Sequence, residues 1–94
     1  MTEKELQKLE EIVREYQILT YDKGISLDCV KTLERIREYY ADDNDKFIIE
    51  IRITSPIEGS PKFNMYQNQL KFVDLLINWF KDNIADIQEK IERI

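Results

Sequence analysis

Apolar residues recur with a helical period over most of this chain. From Thr2 to Gly24, Leu6, Leu9, Val13 and Tyr16 line one face, and Ile12 and Leu19 widen it. Thr2 with Glu5 three residues later has the spacing of a capping box, in which each residue's side chain accepts from the other's backbone N–H. Gly24 followed by Ile25 matches a left-handed helix ending with its apolar contact, so a first helix is expected to stop there. A competing reading folds 18–21 against 25–27 as a hairpin around 22–24.

Ser26 or Asp28 can then cap a second helix with a stripe of Cys29 or Val30, Leu33, Ile36 and Tyr40. The short polar connector makes the pair an antiparallel αα-hairpin. This helix is expected to give out in 41–45, where Asp and Asn prefer turns and caps.

Residues 46–54 switch to a period of two. Phe47, Ile49, Ile51 and Ile53 fall on one face of a strand, with Glu50, Arg52 and Thr54 on the other. Ser55 to Glu58 is expected to make one helical turn, stopped by Gly59. From Ser60 or Asn64 a helix is expected to run to the end, its heptad rhythm carried by Phe63, Tyr66, Leu70, Val73, Ile77, Phe80, Ile84, Ile87, Ile91 and Ile94. About thirty helical residues span roughly 45 Å, against a radius of gyration of about 12–13 Å for a compact domain of this size.

Two features of this pattern call for a partner. The middle of the last helix is apolar beyond its seam, at Phe72, Leu75, Leu76 and Trp79, while its tail is apolar on the seam alone. The middle is therefore expected to pack into the domain's own core and the tail seam to look outward. A lone strand also leaves backbone donors and acceptors unpaired. The expected fold is α+β and mostly helical, in the order helix, helix, strand, long helix, as a single domain over 1–94. The strand is expected to pair across a subunit interface made by Leu76, Trp79, Phe80, Ile84, Ile87, Ile91 and Ile94 with Phe47, Ile49 and Ile51. Isoleucine at both a and d positions favours more than two strands, so the homo-oligomer is a dimer or higher.

Composition narrows the setting. Hydrophobic content of 43% over 94 residues is that of a folded globular chain. A net charge of −5 argues against nucleic acid and against an anionic membrane surface. The first ten residues lack the apolar core of a signal peptide, and the most apolar stretch, 72–80, is too short to span a bilayer. With Cys29 as the single cysteine, no internal disulfide forms, and a reducing cytoplasm is expected. Heavy use of Ile, Lys, Glu, Asn and Tyr, with Ala only at Ala41 and Ala85, points to an AT-rich genome.

Candidate chemistry is sparse. There is no histidine, the commonest general base and metal ligand. A lone Cys29 without histidine lacks the partner of a thiol nucleophile, and reads as a small apolar residue. Gly24 and Gly59 are the only glycines, which excludes a glycine-rich phosphate loop. The run 41–46 has neither the Gly nor the closing Glu of a calcium loop. Glu34 with Glu38 and Asp82 with Asp86 read as solvated helix faces, and Lys31, Arg35 and Arg37 as their intrahelical partners.

The chain is therefore expected to be no enzyme and to hold no metal or cofactor. It reads as a cytoplasmic protein-binding or regulatory protein acting as a homo-oligomer, of the kind a phage or mobile element uses to inhibit a host system. The alternative is a binder of a small anionic, nucleotide-like ligand at a subunit interface, using Arg35, Arg37 and Arg52 with Tyr39 and Tyr40. An acidic nucleic-acid mimic fits less well, because 14 Lys and Arg are spread among 19 Asp and Glu.

Overall fold

A computed structural model describes every residue of the chain except Met1, Asp42, Asn44 and Asp45. Its elements are helix α1 (Glu3–Tyr39), strands β1 (Ile49–Arg52) and β2 (Lys62–Met65), and helix α2 (Gln69–Glu92). The fold is α+β and mostly helical.

Helix α1 begins where the capping box places it: Thr2 Oγ1 accepts from Glu5 N–H at 3.2 Å, and Glu5 Oε2 accepts from Thr2 N–H at 3.3 Å. It does not end at Gly24. The two expected helices are one, and there is no αα-hairpin within 2–40. Gly24 has no positive φ, and Ser26, expected as a cap, is a helix-interior residue with 4% of its surface exposed. The reason lies in a seam that spans the supposed break. Ile12, Tyr16, Leu19, Lys23, Ser26, Val30, Leu33, Arg37 and Tyr40 alternate in steps of four and three. One mid-helix glycine costs about 1 kcal/mol, less than the packing that an uninterrupted seam secures against α2.

Strand β1 keeps the expected alternation, Ile49 and Ile51 half-buried and Glu50 and Arg52 exposed, but it is shorter than 46–54. It is not a lone strand. β2 pairs with it antiparallel in the register Ile49↔Met65 to Arg52↔Lys62, and Ile53 N–H extends the ladder to Pro61 C=O at 3.1 Å. The motive for pairing β1 across a subunit interface therefore falls away. Glu50 holds the hairpin's outer face through Lys62 at 3.4 Å and Arg52 at 3.6 Å. Between the strands, Ser55 Oγ accepts from Ile57 and Glu58 N–H, both at 3.3 Å, making a side-chain-closed turn where a helical turn was expected. Of the polar run at 41–45, Asp42, Asn44 and Asp45 lie outside the described residues.

The last helix starts at Gln69 rather than at Ser60 or Asn64, because 62–65 is drawn into the ladder. Asn68, at φ 58°, makes the left-handed step between strand and helix. Gln69, 1% exposed, donates Nε2–H to Phe47 C=O at 3.0 Å and ties the approach to β1 to the start of α2.

α2 packs antiparallel on α1. Arg37 meets Asp74 at 2.9 Å, Ser26 meets Asn83 at 3.2 Å, and Lys23 meets Gln88 at 2.7 Å. The buried apolar residues are Val30 from α1 and Leu70, Val73, Ile77 and Ile87 from α2. The isoleucine tail is thus occupied within the chain: Ile87 is buried and Ile84 and Ile91 half-buried along the side of α2 that meets α1.

The molecule measures 62 × 33 × 14 Å, with a radius of gyration of 18.6 Å. A compact chain of this length would have about 12–13 Å. A thickness of 14 Å is one layer of helices, whereas domains are ordinarily built from two layers around a core.

Candidate functional site

The two helices face each other along one seam, so each also presents a flank to either side of the layer. At 100° per residue, Leu76 and Phe80 lie about 100° and 60° to one side of Ile77, while Asp74 and Lys81 lie about 60° and 40° to the other. The second flank of α2 is polar, through Lys71, Asp74, Asn78, Asp82 and Glu89. Two ion pairs tie it to α1, Arg37–Asp74 and Glu34–Lys81 at 3.5 Å.

The first flank is apolar. There α1 and α2 leave an open groove of about 380 Å³, walled by Ile25, Cys29 and Leu33 from α1 and by Leu76 and Phe80 from α2. Asp28 and Thr32 are the polar side chains on its lining. Beside it Trp79 stands 57% exposed, edge-on to Phe80 with ring centroids 5.1 Å apart. Indole and phenyl rings held so far into water are the side chains that most favour interfaces.

A second apolar surface lies at the start of α1. The end of α2 comes level with Ile12 and Glu15, which share a shallow hollow with Lys90, Arg93 and Ile94. The turns of α1 before that point extend past α2. Leu6, Leu9 and Val13 are each about half exposed, as a helix stripe is when nothing covers it.

Of the residues expected at an interface, Leu76, Trp79 and Phe80 come together on the groove side, and Ile94 is exposed at the end of α2. Ile84, Ile87 and Ile91 instead serve the α1–α2 seam. Phe47 stacks on Tyr40 at 4.6 Å, and Ile49 and Ile51 are half-buried on the hairpin, so these three do not join the groove. The groove wall on α1 was missed as a unit. Ile25 read as a helix-ending contact and Cys29 as the start of another helix, and only an unbroken α1 sets both beside Leu33 on one side of one helix.

The set expected for an anionic ligand does not converge. Arg37 is spent on Asp74 and on Ala41 C=O at 3.0 Å, and Arg52 on Glu50. Arg35 turns back to Lys31 C=O at 3.4 Å. Tyr39 is 82% exposed and packs edge-on to Tyr40 at 4.8 Å. Among the described residues no group of three or more His, Cys, Asp or Glu could hold a metal ion. Among the described residues no helix is long and apolar enough to cross a membrane. Comparison with protein-family models, with curated proteins and with solved structures found no match to this chain.

Proposed function

We propose that this chain is a protein-binding, regulatory protein that acts as a homo-oligomer, working by docking its groove flank on protein surfaces rather than by catalysis. One observation carries the reading: a helix layer 14 Å thick that is polar on one flank and on the other holds Leu76 and Phe80 in an apolar groove with the exposed Trp79 beside it. A surface of that kind loses free energy by staying wet, at about 25 cal/mol for each Å² of apolar area, and covering it with protein recovers that energy.

Affinity capture from lysate of the producing cell, with wild type and Trp79→Asp in parallel, tests the reading. A specific protein held by wild type and released by the variant supports it. The reading fails if wild type retains no protein, its own chain included, while a panel of nucleotides raises its melting temperature. That outcome would turn attention to Arg35, Arg37 and Arg52 as ligands for an anion.

A further inference from the structure

We propose that a second copy of this chain covers the groove, the two α1–α2 layers stacking face to face about a two-fold axis so that each copy's Trp79 seats against the other copy's groove. The proposal rests on the protein-binding reading above and names the partner and the face.

Area is the first argument. α2 has 24 residues, about 36 Å of helix, and two helices side by side are about 20 Å wide, giving roughly 700 Å² per copy. Both copies together contribute roughly 1,400 Å², within the range of about 1,200–2,000 Å² of specific, stable interfaces. A second layer at helix-packing distance would bring the 14 Å slab to about 24 Å, an ordinary two-layer domain.

Self-complementarity is the second argument. An isologous interface needs a projection and a recess on the same patch, because each copy supplies both. Here the exposed Trp79 stands beside the recess between Ile25, Leu33 and Phe80. Charge agrees: Asp28 is the one charged residue on the groove lining, so two copies of a chain with net charge −5 meet there with little like-charge repulsion. A cationic partner would find its complement on the other flank instead. Finally, Val30, Leu70, Val73, Ile77 and Ile87 make a small core for 94 residues. A partner that completes it must be on hand wherever the chain folds, and a second copy always is.

The native cysteine supplies the test. Cys29 lies in the groove wall, so docking must shield it. Sedimentation equilibrium of wild type is expected to give twice 11.4 kDa. The rate of Cys29 reaction with a disulfide reagent is expected to rise about tenfold as dilution populates monomer, since exchange depends on access to the sulfur. Trp79→Asp is expected to be a helical monomer with fast-reacting Cys29, while Leu9→Asp with Val13→Asp stays dimeric.

Three results overturn the proposal. One is a wild type that is monomeric and melts cooperatively at micromolar concentration. Another is a dimer whose Cys29 reacts at the same rate at every dilution. The third is a dimer dissolved by the Leu9 and Val13 changes but not by Trp79→Asp, which would move the interface to the start of α1. The wild-type Cys29 measurement decides even if Trp79→Asp fails to fold. A monomer that still captures another protein through Trp79 sinks self-docking and the homo-oligomer but leaves protein binding standing, whereas a monomer that captures none sinks the protein-binding reading as well.

Discussion

Asn83 donates Nδ2–H to Ser26 Oγ at 3.2 Å, midway along the seam between the helices, where Ser26 is 4% exposed. A buried polar pair flanked by Val30 and Ile87 in the helix interface sets register, because a slip would bury both groups without partners. Ser26→Ala is expected to cost about 1–2 kcal/mol by leaving the Asn83 amide short of an acceptor. Adding Asn83→Leu is expected to recover most of that loss, since neither polar group then remains. Urea unfolding followed by circular dichroism compares the three proteins.

Gly24 is expected to tolerate a side chain with gain. Beyond its chain neighbours and its own helix backbone, nothing lies within 4 Å of where its Cβ would be, and its backbone is helical. Gly24→Ala should stabilise by about 0.5–1 kcal/mol through the smaller entropy lost on folding. A lower denaturation midpoint would mean that α1 is broken there.

At Asn68 the backbone is left-handed, with φ 58°. Asn68→Gly removes the clash of Cβ with the following carbonyl and is expected to be neutral or slightly stabilising. Asn68→Ala keeps that clash and loses the local polar interactions that let asparagine adopt this conformation, and is expected to cost under about 1 kcal/mol. Thermal melts of both variants against wild type measure both changes.

Ile87 and Arg37 make a contrast. Ile87 is 6% exposed in the seam, so Ile87→Lys buries an unpaired charge and should cost more than about 3 kcal/mol. Helical signal should then be lost at every protein concentration, because the contact lies within the chain. Arg37 and Asp74, 2.9 Å apart, have side chains 39% and 50% exposed. Solvent and salt screen such a pair, and Arg37→Ala should cost under about 1 kcal/mol. Chemical denaturation of each single variant decides the order, and a larger loss at Arg37 would contradict this placement of the seam.

Several parts of the fold are decided locally and could be read from neighbouring residues alone. Thr2 and Glu5 cap α1 because the capping box closes within four residues. Ile49 to Arg52 alternate in burial because side chains on a strand alternate whatever pairs with it. Leu76, Trp79 and Phe80 are visibly apolar beyond a single seam, but that width read as packing into the chain's own core, and local pattern did not show that Trp79 stands exposed. The rest depended on contacts far apart in sequence. Local pattern places a helix end at Gly24, and only the seam from Ile12 to Tyr40 lying along α2 holds the helix through it. Lys62 to Met65 alternate polar and apolar, but over four residues, with Phe63 also in step with the following helix, this does not decide between strand and helix. β1 supplies the hydrogen bonds that make them a strand. The period of Ile84, Ile87 and Ile91 announces a facing helix but not whose, since a heptad seam has the same spacing against another copy as against α1. The tertiary structure decided that, by turning the chain through the hairpin and bringing Gln88 back to Lys23.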